Sequence, residues 1–322
     1  MQIQWFPGHM TKTKRMIEQR IKLVDVVIEL TDARLPLSSR NPLLDSLVGH
    51  KPRIVILNKE DLADPQQSAL WMKYFDAQNN CRALVFNSTM GKKKLIGELK
   101  NILLDLTASK RERLAAKGIR MQSIRCMVVG IPNVGKSTFI NILAGKKSAK
   151  TGDKPGVTRG EQWIKLEDGV ELLDTPGILW HKFEDEEVGF RLAMAGSISD
   201  EVFDWEEGAY KLCAYLKTYY PKLIQERYKL SIEEMELEPW PLLEEMGRKR
   251  GFLIKGNKVD MQKMSKALII DFRQGKIGRT ALLAQYSQLG HGKAAQTGAG
   301  GLQEGFLGRK ICGGGLGASL FA

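Results

Sequence analysis

The stretch that most constrains the fold is Gly130-Ile131-Pro132-Asn133-Val134-Gly135-Lys136-Ser137, which fits the phosphate-loop pattern G-x-x-x-x-G-K-[ST]. It follows the apolar run Cys126-Met127-Val128-Val129 and precedes Thr138-Phe139-Ile140-Asn141-Ile142-Leu143, whose apolar positions recur at helical spacing. In that strand, loop, helix order the pattern has a physical meaning. Glycines let backbone N–H groups turn inward on phosphate oxygens, the new helix directs its positive end at them, and Lys136 adds a point charge. Ser137 is placed to ligate Mg2+, and Asn133, Val134, Gly135, Lys136, Ser137 and Thr138 are the expected triphosphate contacts. A nucleoside triphosphate site on an α/β sheet follows.

Base recognition is encoded upstream. Arg53-Ile54-Val55-Ile56-Leu57 reads as a buried strand running into Asn58-Lys59-Glu60-Asp61. In this Asn-Lys-x-Asp tetrad, a carboxylate at the fourth position accepts from both the ring N–H and the exocyclic amine of guanine. Adenine offers no such pair of donors, and a site built on paired hydrogen bonds rejects the base that lacks them. Asn58 and Lys59 brace the loop and pack along the base. A further strand, Ala83 to Phe86, ends at Asn87-Ser88-Thr89, where backbone groups can cover the guanine O6. A second match, Asn257-Lys258-Val259-Asp260, follows Lys255-Gly256 rather than an apolar strand, so Asp61 is favoured over Asp260.

Val24 to Leu30 is another buried strand, closed by Thr31-Asp32-Ala33-Arg34-Leu35-Pro36. Helices are expected over Asn41 to Val48, Gln67 to Ala77 and from Lys92, where Leu95, Leu99, Ile102, Leu103 and Leu106 share a face. Lys110 to Gly118 reads as a charged connector. Beyond the phosphate loop, Thr158 lies in a loop from which its hydroxyl can reach Mg2+ beside the γ-phosphate. Strands at Gln162 to Leu166 and Val170 to Leu173, joined by Asp168-Gly169, lead to Asp174-Thr175-Pro176-Gly177. Asp174 can hold Mg2+ through water and the Gly177 N–H can contact the γ-phosphate. Residues 24–90 and 125–177 together supply six strands for a doubly wound sheet.

From residue 184 the apolar spacing is helical, with no strand-like alternation, and from about 280 the chain is glycine-rich. The expected division is a nucleotide domain over 1–183, a smaller all-α domain over 184–280 and a flexible tail over 281–322. The chain has 322 residues, 43% of them hydrophobic, with a formal net charge of +12, which favours a polyanionic partner. It has no apolar run of membrane-spanning length and begins without a signal segment, so a soluble cytoplasmic protein is expected. Cys81, Cys126, Cys213 and Cys312 show no C-x-x-C spacing, which points to incidental thiols rather than zinc or disulfides.

With these residues in view, the sequence closely resembles the circularly permuted GTPases of the YlqF/YawG group. The resemblance rests on Trp5-Phe6-Pro7-Gly8-His9-Met10, Asp32-Ala33-Arg34-Leu35-Pro36, Asn58 to Asp61, Gly130 to Ser137, Pro155-Gly156-Val157-Thr158, Asp174 to Leu179 and Gly275-Lys276-Ile277-Gly278-Arg279. It implies a P-loop GTPase domain with the order of its motifs permuted. It also implies Mg2+-dependent hydrolysis of GTP to GDP, coupled to late assembly of the large ribosomal subunit, and a C-terminal helical domain contacting precursor rRNA. Ile178 stands where many GTPases place a water-orienting glutamine, and the resemblance assigns that role to His9; His181 is the second candidate. Asn133 resembles the loop asparagine that ligates K+ in potassium-dependent GTPases. Lys12, Arg15, Arg248, Lys249 and Arg250 are candidate phosphate contacts, and a monomer without membrane association is expected. The competing reading is a nucleotide-gated binding switch with negligible catalysis.

Overall fold

A computed structural model describes residues 15–145, 162–166, 169–175, 185–200 and 203–282, all within one compact unit, Met1–Ala284. Six strands form the main sheet: β1 (Val26–Asp32), β2 (Arg53–Asn58), β3 (Cys81–Phe86), β4 (Ile124–Gly130), β5 (Gln162–Lys165) and β6 (Val170–Asp174). Their order is β3-β2-β1-β4-β6-β5, parallel throughout except for the antiparallel edge pair β5–β6. This is the expected six-stranded sheet.

The strands read as continuous apolar runs because both faces are covered. Val26, Ile28, Leu30, Cys126 and Val128 point into one core, whereas Val27, Met127 and Val129 point into a smaller one on the opposite face. The period of two is thus expressed as two cores rather than as alternating polarity. Ile17 of helix α1 (residues 15–20) and Leu44 and Val48 of α2 (Pro42–Val48) fill the smaller core. The larger one takes Leu95, Leu99 and Leu103 of α4 (Lys92–Leu106) and Phe139, Ile140 and Leu143 of α6 (Lys136–Ala144). Helix α3 (Pro65–Asp76) starts on an Asp64 N-cap with Pro65 behind it, a strong start signal.

The chain departs from the sequence expectations in four places. Lys110 to Gly118 is not merely a connector: Ala108–Ala115 forms α5, a helix with no buried residue and so no apolar stripe to betray it. Strand β1 runs on through Thr31 and Asp32, whose polar side chains are satisfied internally. The helical run after residue 184 is broken more finely than its spacing indicates, with a short helix, α9 (Pro221–Tyr228), between α8 (Trp205–Tyr219) and the pair α10 (Ile232–Met235) and α11 (Pro239–Lys249). Finally, the C-terminal region is not free of strands, because β7 (Leu253–Ile254) and β8 (Lys258–Val259) make a small hairpin before α12 (Met261–Arg273).

That hairpin gives the second Asn-Lys-x-Asp match a local structural role. Asn257 sits in its turn with φ of 55°, and the Asp260 side chain caps α12 by accepting from the Lys263 N–H at 2.9 Å. The helices from α7 (Glu186–Met194) to α12 share the larger core with the sheet, through Leu192, Leu212, Leu216, Leu242, Met264 and Phe272 among others.

Candidate functional site

Strand order reverses between β1 and β4, and in an open α/β sheet ligands bind outside the carboxyl ends of the strands at such a point. Gly130 closes β4 beside Leu30, and a Cβ there would meet the Leu30 carbonyl oxygen at 2.7 Å. The loop then turns through Asn133 (φ 56°) to Gly135 (φ 100°), the N-cap of α6. No side chain caps this helix, so its first N–H groups are available to an anion. Lys136 is buried, its ammonium donating to the carbonyls of Gly130 (3.1 Å) and Ile131 (2.8 Å). Burial pulls its pKa down to about 8, against the opposing charge of Asp174. Ser137 and Thr138 follow in the first turn of α6, half-buried.

Asp174 ends β6, the strand next to the loop's own strand, pairing with Val128 of β4 in register. Its carboxyl is pushed up by burial, with Lys136 and the Thr175 N–H pulling the other way. One of its oxygens, Oδ1, is buried with no hydrogen-bond partner among the described residues. An orphaned buried carboxylate oxygen and a serine hydroxyl in the first turn of α6 are donors of the kind a hard, oxygen-seeking cation takes, so Asp174 and Ser137 fit Mg2+ by chemistry. Among the described residues no group of three or more His, Cys, Asp or Glu could hold a metal without help. A cation here would therefore also rely on hydroxyl and phosphate oxygens.

The base-reading tetrad meets the phosphate loop directly. Asn58 is buried, and its Nδ2 donates to the Val134 carbonyl at 2.6 Å across a separation of 76 residues. Its Oδ1 accepts from the Lys59 N–H at 2.7 Å. A Cβ on Gly135 would lie 2.2 Å from that same Nδ2, so glycine is needed there for the close approach as well as for φ. Asp61 is exposed within the 3-10 turn Glu60–Leu62. Asn87 accepts from the Thr89 N–H (3.0 Å) and hydroxyl (2.7 Å), shaping the neighbouring loop, in which Ser88 and Thr89 are exposed.

Lys59, in the left-handed region at φ 60°, sends its ammonium to Asp32 Oδ2 at 3.0 Å. Asp32 also accepts from Arg34 Nε (3.0 Å) and Nη2 (2.8 Å), and both residues are only 1% exposed. Burial alone would raise the Asp32 carboxyl, but the charges of Arg34 and Lys59 outweigh it and hold it well below the usual carboxylate range. Arg34 Nη1 continues to the Phe272 carbonyl at 3.2 Å, and the guanidinium lies 4.9 Å from the Phe272 ring centroid. Residue-by-residue reading gave Asp32 and Arg34 no role. Two opposite charges placed i and i+2 at the end of a buried strand were the available signal.

Asn133 donates from Nδ2 to the Gly196 carbonyl at 3.0 Å, joining the phosphate loop to the turn after α7. His9, Thr158, Gly177, His181 and Lys12 lie outside the described residues, as does Cys312. Of the expected phosphate-binding cations, Arg248 pairs with Glu244 and Glu245, Lys249 with Glu234, and Arg250 with Asp271, whereas Arg15 is exposed. Cys81, Cys126 and Cys213 are buried thiols; burial raises the pKa of all three, Cys81 to about 11 and Cys213 to about 12.

A family model described as 50S ribosome-binding GTPase matches residues 125–205, which begins at β4 and leaves Asn58 to Asp61 outside and upstream. Ribosome biogenesis GTPase A of Bacillus cereus is 46% identical over 279 residues, covering 87% of this chain and 93% of the relative. The chain belongs to the ribosome biogenesis GTPase A family. Its Thermotoga maritima member is 33% identical over 282 residues, covering 87% of this chain and 93% of its own. The solved structure of GNP-bound YlqF from T. maritima superimposes with a TM-score of 0.56 at 28% identity, covering 84% of this chain and 97% of that one. As a family member the chain is a GTPase with a circularly permuted domain, its base-reading strand β2 preceding its phosphate-loop strand β4.

Proposed function

We propose that the protein is an assembly factor for late maturation of the large (50S) ribosomal subunit, binding precursor particles and their rRNA in the GTP state and leaving on hydrolysis. The observation that carries this reading is the 46% identity over 279 residues to ribosome biogenesis GTPase A of Bacillus cereus, and the 2.6 Å bond from Asn58 to the Val134 carbonyl supports reading the base-side and phosphate loops as parts of one site. In this reading Asp61 accepts from the guanine edge, Asn87 to Thr89 cover its O6, and Asn133 to Thr138 with Lys136 hold the phosphates. Thr158 and Gly177 sense the γ-phosphate. Bound Mg2+, held by Ser137, Thr158 and Asp174, would neutralise phosphate charge.

His9 orients the attacking water, for which Ile178 has no suitable group. His9→Ala is expected to keep GTP affinity and lose ribosome-stimulated turnover; unchanged turnover moves attention to His181. A K+ ion would take the Asn133 carbonyl oxygen, since the amide nitrogen is committed to Gly196. Equal hydrolysis rates in K+ and Na+ salts would remove that part of the reading.

The proposed division of labour is a nucleotide domain over 1–183, an RNA-contacting helical domain over 184–280 and a tail over 281–322, in a cytoplasmic monomer. No helix among the described residues is long and apolar enough to cross a membrane. With Arg248, Lys249 and Arg250 engaged internally, the hairpin tip offers better rRNA contacts. Lys255 and Lys258 are exposed there beside exposed Leu253 and Ile254. The test is co-sedimentation with large-subunit particles in GDP and in a non-hydrolysable GTP analogue, with turnover measured on each ribosomal fraction. Association that ignores the nucleotide defeats the assembly-factor cycle. Association without stimulated turnover favours a binding switch.

A further inference from the structure

The segment after α12 returns to the turn that carries Asp61. Thr280 pairs with Ala63 as in a parallel sheet, its N–H donating to the Leu62 carbonyl (3.1 Å) and its carbonyl accepting from the Asp64 N–H (3.2 Å). One residue earlier, Arg279 donates from Nε to the Ala63 carbonyl (2.7 Å) and from Nη2 to the Glu60 carbonyl (2.8 Å) and the Glu60 carboxylate. One guanidinium therefore spans both ends of the turn Glu60–Leu62, with Asp61 between its anchor points. The other Glu60 oxygen accepts from Asn87 Nδ2 at a long 3.5 Å, so the same ion pair reaches the second base-side loop. The returning segment is itself fixed next to this contact. Tyr215 donates its hydroxyl to the Ala281 carbonyl (2.8 Å), and the Ala281 N–H donates to the Tyr220 hydroxyl (3.0 Å).

We infer that Arg279 is a positioning residue for base recognition, holding from the C-terminal side the turn that presents Asp61 to guanine. The inference rests on the reading of Asp61 as the guanine acceptor. Two carbonyls and a carboxylate gripped by one planar fork define the turn's position, which a lysine ammonium on a flexible stem does not reproduce. When the fork is lost, Asp61 wanders and its two bonds to guanine weaken together. Inosine lacks the exocyclic amine and has only one of those bonds to lose. Loss of the fork should therefore erode the preference for GTP over ITP and not merely lower affinity.

The test uses the full chain and equilibrium titration with GTP, ITP and XTP. Arg279→Met is expected to weaken GTP binding about tenfold while shrinking the GTP-over-ITP preference about threefold, with Arg279→Lys in between. A merely structural role would lower Tm and weaken both nucleotides equally, and an unchanged GTP-over-ITP ratio in both variants overturns the inference. If Arg279→Met does not fold, the ratio in Arg279→Lys decides. Asp61→Asn separates the two layers, because its amide can donate to the xanthine 2-oxygen and should exchange GTP for XTP preference. If Asp61→Asn gains no XTP binding, the base-reading assignment itself is wrong. If it gains XTP while the Arg279 variants keep their ratio, only the positioning inference falls.

Discussion

Replacing Arg34 by Met tests the buried charge cluster behind the base-reading loop. Methionine keeps much of the stem volume over the Phe272 ring and removes the charge. Asp32 then loses its bonds from Nε and Nη2 and the Phe272 carbonyl loses its donor, leaving Lys59, at 3.0 Å, as the remaining cation on Asp32. Removing one partner of a buried ion pair costs about 3–5 kcal/mol, and the surviving Lys59 contact places this case near 3 kcal/mol. For chains of a few hundred residues that is a fall in Tm of about 6–12 °C. Urea titration near neutral pH gives the free energy directly. The Asp32 carboxyl is depressed in the folded state, so its contribution is present above the unfolded value of 3.8 and is lost as pH falls through that value towards the folded one. The gap between wild type and Arg34→Met should therefore narrow in acid. The double variant Asp32→Asn/Arg34→Met should recover part of the loss, because the fully buried carboxylate is gone and Lys59, a quarter exposed, can turn its ammonium to water. A loss under about 1 kcal/mol at neutral pH, or a double variant as unstable as the sum of the singles, would refute the reasoning.

Three further outcomes follow from the phosphate side. Gly135→Ala must force a Cβ to 2.2 Å from Asn58 Nδ2 at a φ of 100°, and should cost about 1–3 kcal/mol of stability and most GTP affinity; a variant with wild-type affinity by titration would contradict the close-approach account. Asp174 is an acid with a raised folded pKa, so its ionisation above the unfolded value of 3.8 opposes folding. Asp174→Asn should stabilise the nucleotide-free protein at neutral pH in thermal melts, yet lose the extra melting shift that Mg2+ adds to GTP. Lys136 has a pKa near 8 that bound phosphate must raise, so GTP affinity should hold below that pH and fall above it, approaching tenfold per unit; a flat profile between about pH 7 and 9 would sink this account.

Much of the nucleotide site was legible because its chemistry is local. A phosphate loop needs its glycines, lysine and serine consecutively, and a base-reading loop needs its aspartate three residues after an asparagine at a strand end. Apolar runs such as Val26 to Leu30 and Ile54 to Leu57 announced buried parallel strands for the same reason. The features that escaped are those whose meaning lies in a partner far away in sequence. Arg34 and Asp32 look like an ordinary strand end until Phe272 and Lys59 arrive, 238 and 27 residues from their respective partners. Arg279 looks like a charged residue at the end of the helical region until it grips Glu60 and Ala63. Helix α5 escaped for the opposite reason, since it buries nothing and leaves no period to read.

The last residues of α12 then acquire a significance that no single motif conveys. The Phe272 carbonyl takes Arg34, which lies behind the base-reading loop through Asp32 and Lys59. The next residue, Arg273, donates to the carbonyls of Ala193 (2.8 Å) and Met194 (3.1 Å), closing the end of α7 just before Gly196, whose carbonyl holds Asn133 of the phosphate loop. Asp271, one residue back, is gripped by Arg227 and Arg250 and accepts from the Tyr228 hydroxyl. Base side, phosphate side and the outer helices thus converge on three consecutive residues. Packed interiors respond to displacement by switching between discrete arrangements rather than by stretching. Helix α12 is consequently the element through which both nucleotide loops share contacts with the helical side. The permutation makes this possible, because it leaves the chain after β6 free to lead into the helices and return at α12.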